Sequence, residues 1–114
     1  SIFAAQFPKY MHWIILAFGI LFEVLGTVSM KYAEGFTKLI PSVLVFVFYG
    51  LALGSLVLVL KKMDVSIAYA IWAGAGTAFI AVLGMLWFKE SVSMPKIVSI
   101  LLIIAGIVGL ELFD

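Results

Sequence analysis

An all-α membrane protein with four transmembrane helices is the fold that this sequence predicts, and three observations predict it. Hydrophobic residues make up 66% of the 114-residue chain and charged residues 11%, with a mean hydropathy of +1.30; a soluble domain carries about 25% charged residues. The apolar residues gather into four segments, each near the ~20 residues a helix needs to cross a hydrocarbon core ~30 Å thick. The separators, KYAEGFTKLI, KKMDVS and KESVSMP, hold eight of the thirteen charged residues and are ten residues or shorter. Alternation at period two is absent, which argues against a membrane β-barrel. We therefore expect residues 1–10 to be an N-terminal extension and residues 11–112 one four-helix transmembrane domain, followed by a tail at 113–114. The spans are expected at 11–30, 41–60, 67–88 and 96–112, with both termini on one side of the membrane.

The extension, SIFAAQFPKY, is too short and too polar at Pro8–Lys9 for a separate signal segment, and no cleavage signal follows the next stretch, so that stretch is read as a retained span. This first span, MHWIILAFGILFEVLGTVSM, carries Glu23, the only carboxylate well inside a long apolar segment. At 1.5 Å per residue Glu23 lies ~18 Å into the span, near mid-bilayer. An ionised acid there costs at least about 3 kcal/mol, so the residue reads as functional and as facing a cavity or a partner helix. Residues three, four and seven apart share its helix face: Leu16, Gly19, Ile20, Gly26, Thr27 and Met30. The small ones, Gly19, Gly26 and Thr27, leave room beside the carboxylate, and they also suit plain close packing.

The second span opens at Pro41-Ser42, where a proline is tolerated because its missing N–H would be unpaired anyway; halfway along it Tyr49 places a hydroxyl in the membrane. In the third span, AYAIWAGAGTAF sets Tyr69 and Trp72 on one face. Tyr69 offers a hydroxyl to a carboxylate and Trp72 a π face to a cation. Gly74 and Gly76 mark a place for a bend or a close helix approach. The fourth span is the most aliphatic. Ser99 and Gly106 lie seven apart on one face, and Ala105 and Gly109 form a small-xxx-small pair, so this span is read as a contact between chains. Glu111 is expected in solvent, His12 at headgroup level, and Tyr10, Trp13, Trp87, Phe88 and Phe113 in the interfacial aromatic belt.

Composition excludes several classes. The seven basic residues are all Lys, scattered at segment ends, and the net charge is +1, so no basic patch for nucleic acid exists. Without cysteine and with a single His, the usual metal sets are missing, and no nucleophile–base pair lies in the spans; no metal, no cofactor and no enzymatic activity are expected. The lysines also split almost evenly. Lys9, Lys61 and Lys62 fall on one side and Lys31, Lys38, Lys89 and Lys96 on the other, leaving the positive-inside rule little to act on. Insertion in both orientations follows as an expectation. Four spans enclose little space, so a transport path would need an oligomer, and dual insertion makes that an antiparallel dimer.

The stretches FEVLGTVSMKYAEGFTKLIPS, IAYAIWAGAG and LLIIAGIVGLEL, in this order and spacing, resemble the small multidrug resistance family of four-helix exporters, along nearly the whole chain. The resemblance implies an antiparallel, dual-topology homodimer in a prokaryotic plasma or inner membrane that exchanges protons for organic cations. By position, Glu23 resembles the family's shared proton and substrate carboxylate. Tyr69 and Trp72 resemble its aromatic substrate contacts, Tyr49 the supporting tyrosine, and Gly26–Thr27 the small residues packed by the acid. Gly74 and Gly76 resemble the third-helix kink and Ser99…Gly106 the dimer seam, although Ser99 replaces a glycine often found there. The guanidinium-exporting branch typically has a Trp shortly after the acid and a Lys late in the fourth helix. Gly26-Thr27 and Glu111 stand here instead, which is closer to the branch exporting quaternary ammonium and other lipophilic cations. A polyamine-exporting, heterodimeric branch and a non-transport membrane subunit are the alternatives.

Dual insertion is open to a direct check: two lysines added at the C-terminus should bias reporter-measured orientation toward one topology. An unchanged distribution would count against it.

Overall fold

The computed structural model describes residues 10–113; residues 1–9 of the expected extension and Asp114 of the tail lie outside the described residues. Four helices follow in order: α1 Met11–Ala33, α2 Leu39–Val59, α3 Val65–Leu86 and α4 Met94–Phe113. Each is long and apolar enough to cross a membrane. With no water in the hydrocarbon region, a spanning segment must satisfy its backbone internally, and helices of 20 to 23 residues do so. Among the described residues there is no strand.

The helix ends differ from the hydropathy boundaries, because hydropathy marks the apolar core of a span while caps and turns fix the helix ends. α1 continues three residues past Met30, and Lys31 in its last turn complements the negative end of the helix dipole. It stops at Glu34, whose φ of 47° is left-handed. Gly35 and Phe36 follow at φ 69° and 65°, so three successive residues turn the chain back. Phe36 is a bulky residue in a region that disfavours it, and its ring stacks on Phe46 at 5.9 Å.

α2 begins at Leu39, two residues before Pro41, which still falls in the first turn; the Ser42 N–H donates to Lys38 O at 3.1 Å. α3 begins two residues before the expected boundary, where Asp64 O accepts from the Ala68 N–H at 2.9 Å. It ends at Leu86, so Trp87 and Phe88 leave the helix. The Phe88 N–H reaches Leu83 O at 3.3 Å and the Glu90 N–H reaches Gly84 O at 2.9 Å, around a left-handed Lys89. α4 has a serine cap. Ser93 O accepts from the Ile97 N–H, and Ser93 Oγ accepts from the Lys96 N–H at 3.3 Å.

Internal packing divides the chain into two compact units that meet between Ala68 and Tyr69, inside α3. In the first unit α1 and α2 form an antiparallel hairpin, with Leu16, Val24, Ala33, Val45, Ala52 and Val59 among its buried side chains. In the second, α3 meets α4 where Gly74 has no side chain. A Cβ there would lie 2.9 Å from Ile107 Cδ1 and 3.3 Å from Ile103 Cγ2. α3 continues unbroken through Gly74 and Gly76. Large apolar side chains are exposed on all four helices, as suits a chain whose solvent is lipid.

The serine cap gives a testable consequence. Ser93→Ala should cost about 1 kcal/mol and speed amide exchange at Lys96 and Ile97, while Ser93→Asn should restore protection.

Candidate functional site

The first unit carries a polar cluster inside the α1–α2 hairpin. Glu23 lies one residue past the midpoint of α1. Its Oε2 is buried and accepts no hydrogen bond from any described residue. Leaving such an acceptor unmade costs roughly 1–3 kcal/mol, more for a charged group, so the helix position is not chosen for stability.

One turn on, Thr27 Oγ1 lies 3.0 Å from the Glu23 backbone carbonyl and 2.7 Å from the Tyr49 hydroxyl. The carbonyl can only accept, so Thr27 donates its single proton there, and Tyr49 must then donate to Thr27. Tyr49 therefore binds Thr27 and not the carboxylate. The Met30 sulfur lies 3.9 Å from the same Tyr49 oxygen. Glu23, Thr27 and Met30 occupy one helix face, and Tyr49 is laid along the latter two.

Gly26 makes that seat possible. A Cβ on Gly26 would lie 2.7 Å from Tyr49 Cδ2, 2.8 Å from its Cε2 and 3.3 Å from Phe48 Cβ, and those ring atoms could not stay. Gly19 is buried on the same face and Ile20 half-buried. Beside the cluster Phe22 stacks on Phe48 at 6.4 Å and 20°, and Phe18 lies 6.4 Å from Phe22. Sequence reasoning did not single out these phenylalanines. The i,i+4 spacing of Phe18 and Phe22 was a signal for one half of the stack, whereas Phe48 is recruited only when α2 docks.

The other expected site residues belong to the second unit. Tyr69 is 61% exposed and Trp72 6% exposed, so two residues on one turn meet different surroundings. Gly76 is buried and Gly74 half-buried. On α4, Ile103 and Ile107 touch the Gly74 position of α3, and Ile100 is buried. Ser99, Ala105 and Gly106 are exposed, Gly109 is half-buried, and nothing lies within 4 Å of a Cβ built on Gly106 or Gly109. At the first helix's N-terminal end the His12 ring lies 5.4 Å from that of Trp13. Among the described residues no group of three or more His, Cys, Asp or Glu could hold a metal.

Four apolar spans, the first carrying a buried carboxylate oxygen without a hydrogen-bond partner, define a multi-pass membrane protein. Comparison with known proteins gives the family. The sequence model of the Small Multidrug Resistance protein family matches residues 11–103, and the chain belongs to that family of cation exporters. It is 57% identical over 104 residues to the uncharacterized membrane protein YvaE of Bacillus subtilis, covering 91% of this chain and 87% of the other. It is 39% identical to a guanidinium exporter of Yersinia pseudotuberculosis over 102 residues, 90% of this chain and 98% of the other. It is 40% identical to the quaternary ammonium compound-resistance protein QacF of Klebsiella aerogenes over 103 residues, 90% and 94% of the two chains. The protein is thus a multi-pass prokaryotic membrane protein of a transporter family.

The Gly26–Tyr49 contact yields a prediction. Gly26→Ala should destabilise the protein by about 1–3 kcal/mol through overpacking, and far less in a Tyr49→Ala background. A thermal-unfolding double-mutant cycle giving equal costs in both backgrounds would show that the ring is not what the glycine accommodates.

Proposed function

We propose that this protein is a proton-coupled antiporter that exports quaternary ammonium and other lipophilic cations, with proton and substrate competing for Glu23. The observation that carries the reading is the buried Glu23 Oε2 without a partner at mid-span. A carboxylate in that position is tolerable when something neutralises it, either a bound proton or a bound cation. The two exclude each other at one site, so a cation arriving from one side displaces the proton and a proton arriving from the other displaces the cation. Coupling needs no further residue. The surroundings are aromatic and apolar, with Phe18, Phe22, Phe48 and Tyr49 near Glu23 along the hairpin. Such walls discriminate weakly, because one methylene is worth only about 1–3 kcal/mol. Trp72 and Tyr69 are proposed as the aromatic contacts to the cation, Trp72 adding cation–π attraction of about 0.5–2 kcal/mol.

Substrate class is where the geometry at Gly26 helps. The Tyr49 ring occupies the space that any side chain at this position would need, so an indole there and this tyrosine seat are mutually exclusive. That supports the lipophilic-cation branch. A guanidinium substrate is the second reading, favoured by the bare Oε2 itself: planar N–H donors would fill it, as a quaternary ammonium cannot.

The assembly proposed is an antiparallel homodimer of oppositely inserted copies. The exposed Ser99, Ala105 and Gly106, with Gly109 beside them, support α4 as the contact, since small residues let helices approach closely in lipid. Gly74 and Gly76 are proposed as the flexible point of α3, and residues 11–112 as the transport domain.

Addition of tetraphenylphosphonium to detergent-solubilised protein should release protons, and Glu23→Gln should abolish both release and binding. Cation binding with proton release in that variant would overturn the shared-site mechanism. Release on addition of guanidinium but not tetraphenylphosphonium would select the second reading.

A further inference from the structure

We propose that Met30 is an oxidation site coupled to the Glu23 cluster, so that converting its thioether to the sulfoxide weakens cation binding; the binding half of this rests on the function proposed above. Three observations carry it. Met30 is 45% exposed. It lies three residues from the end of α1, directly before Lys31 and one turn before Glu34, where water and small polar oxidants reach the membrane edge. Its sulfur is 3.9 Å from the Tyr49 hydroxyl, whose single proton is donated to Thr27 Oγ1 at 2.7 Å.

The chemistry is a two-electron oxidation by hydrogen peroxide. A sulfur lone pair attacks one peroxide oxygen, the O–O bond breaks, an S–O bond forms, and the other oxygen leaves as water with both protons. Sulfur is oxidised and peroxide reduced. A thioether is a weak acceptor, which is why Tyr49 turns its proton to Thr27. A sulfoxide oxygen is polar and projects beyond the sulfur, so in the oxidised protein it takes the Tyr49 proton. Thr27 has no second donor, because its own proton is held by the Glu23 carbonyl. Oxidation therefore takes the Tyr49 proton away from Thr27 Oγ1 and places a polar group on the helix face that runs down to Glu23. Loss of one hydrogen bond at the site corresponds to about a tenfold change in affinity.

The test treats purified wild-type protein and Met30→Leu with hydrogen peroxide and compares each with its own untreated control. Peptide masses locate the added oxygen, and Met94, which is 70% exposed at the start of α4, serves as the reference. Met30 should gain one oxygen at a rate within about threefold of Met94. Tetraphenylphosphonium affinity should then fall about tenfold in wild type, stay within twofold in Met30→Leu, and recover on treatment with methionine sulfoxide reductases. Met30 remaining unoxidised when Met94 is converted, or full conversion with unchanged affinity, would overturn the proposal. If untreated wild type does not bind the cation, it is the transport reading that has failed. The tyrosine difference spectrum on oxidation then decides the present one: a shift lost in both Met30→Leu and Tyr49→Phe supports it, and no shift overturns it.

Discussion

The structure depends on the cost of holding a carboxylate where there is no water. Every other polar group in the middle of α1 and α2 is satisfied within the hairpin: Thr27 and Ser29 donate to carbonyls one turn back, and Tyr49 donates to Thr27. Only Glu23 Oε2 is left over. Local hydrogen bonding absorbs the hydroxyls and so withholds them from the acid. Under the proposed function that is an advantage, since an acid quenched by its own neighbours would gain little from binding a cation.

Small residues supply the space that this arrangement uses, and they do so differently in the two units. Gly26 is required by a ring edge that lies closer than any Cβ permits, whereas at Gly74 a Cβ would meet only the movable tips of two isoleucines. Gly106 is open on every side. Without a hydrophobic driving force between helices in lipid, close approach must be allowed by the absence of side chains, so an open glycine on an exposed face of α4 is packing capacity that one chain does not use. The same reasoning makes the antiparallel dimer an economical proposal: the unused face and the nearly balanced lysines both point to a second copy.

The loop between α1 and α2 shows how tightly the hairpin is constrained. Three successive left-handed residues reverse the chain within a few positions, and Phe36, which would not choose that conformation, is held by its stack on Phe46. Beyond the turn, α2 carries Tyr49 opposite Thr27 and Gly26.

The number of spans, their order and the place of Glu23 along the first of them were legible in the sequence, because hydropathy and helical rise are local properties that need no partner. Gly26, Thr27 and Met30 were legible as neighbours of the acid for the same reason: helical periodicity puts them on one face. Only the tertiary structure decided the rest. It directed the Tyr49 hydroxyl to Thr27, drew Phe48 onto Phe22, exposed Tyr69 while burying Trp72, and moved the helix ends to Ala33, Leu39, Leu86 and Met94. Those outcomes depend on which faces meet and on where caps close, and an apolar helix in lipid, hydrophobic all round, does not announce in its sequence which side it will turn to a neighbour.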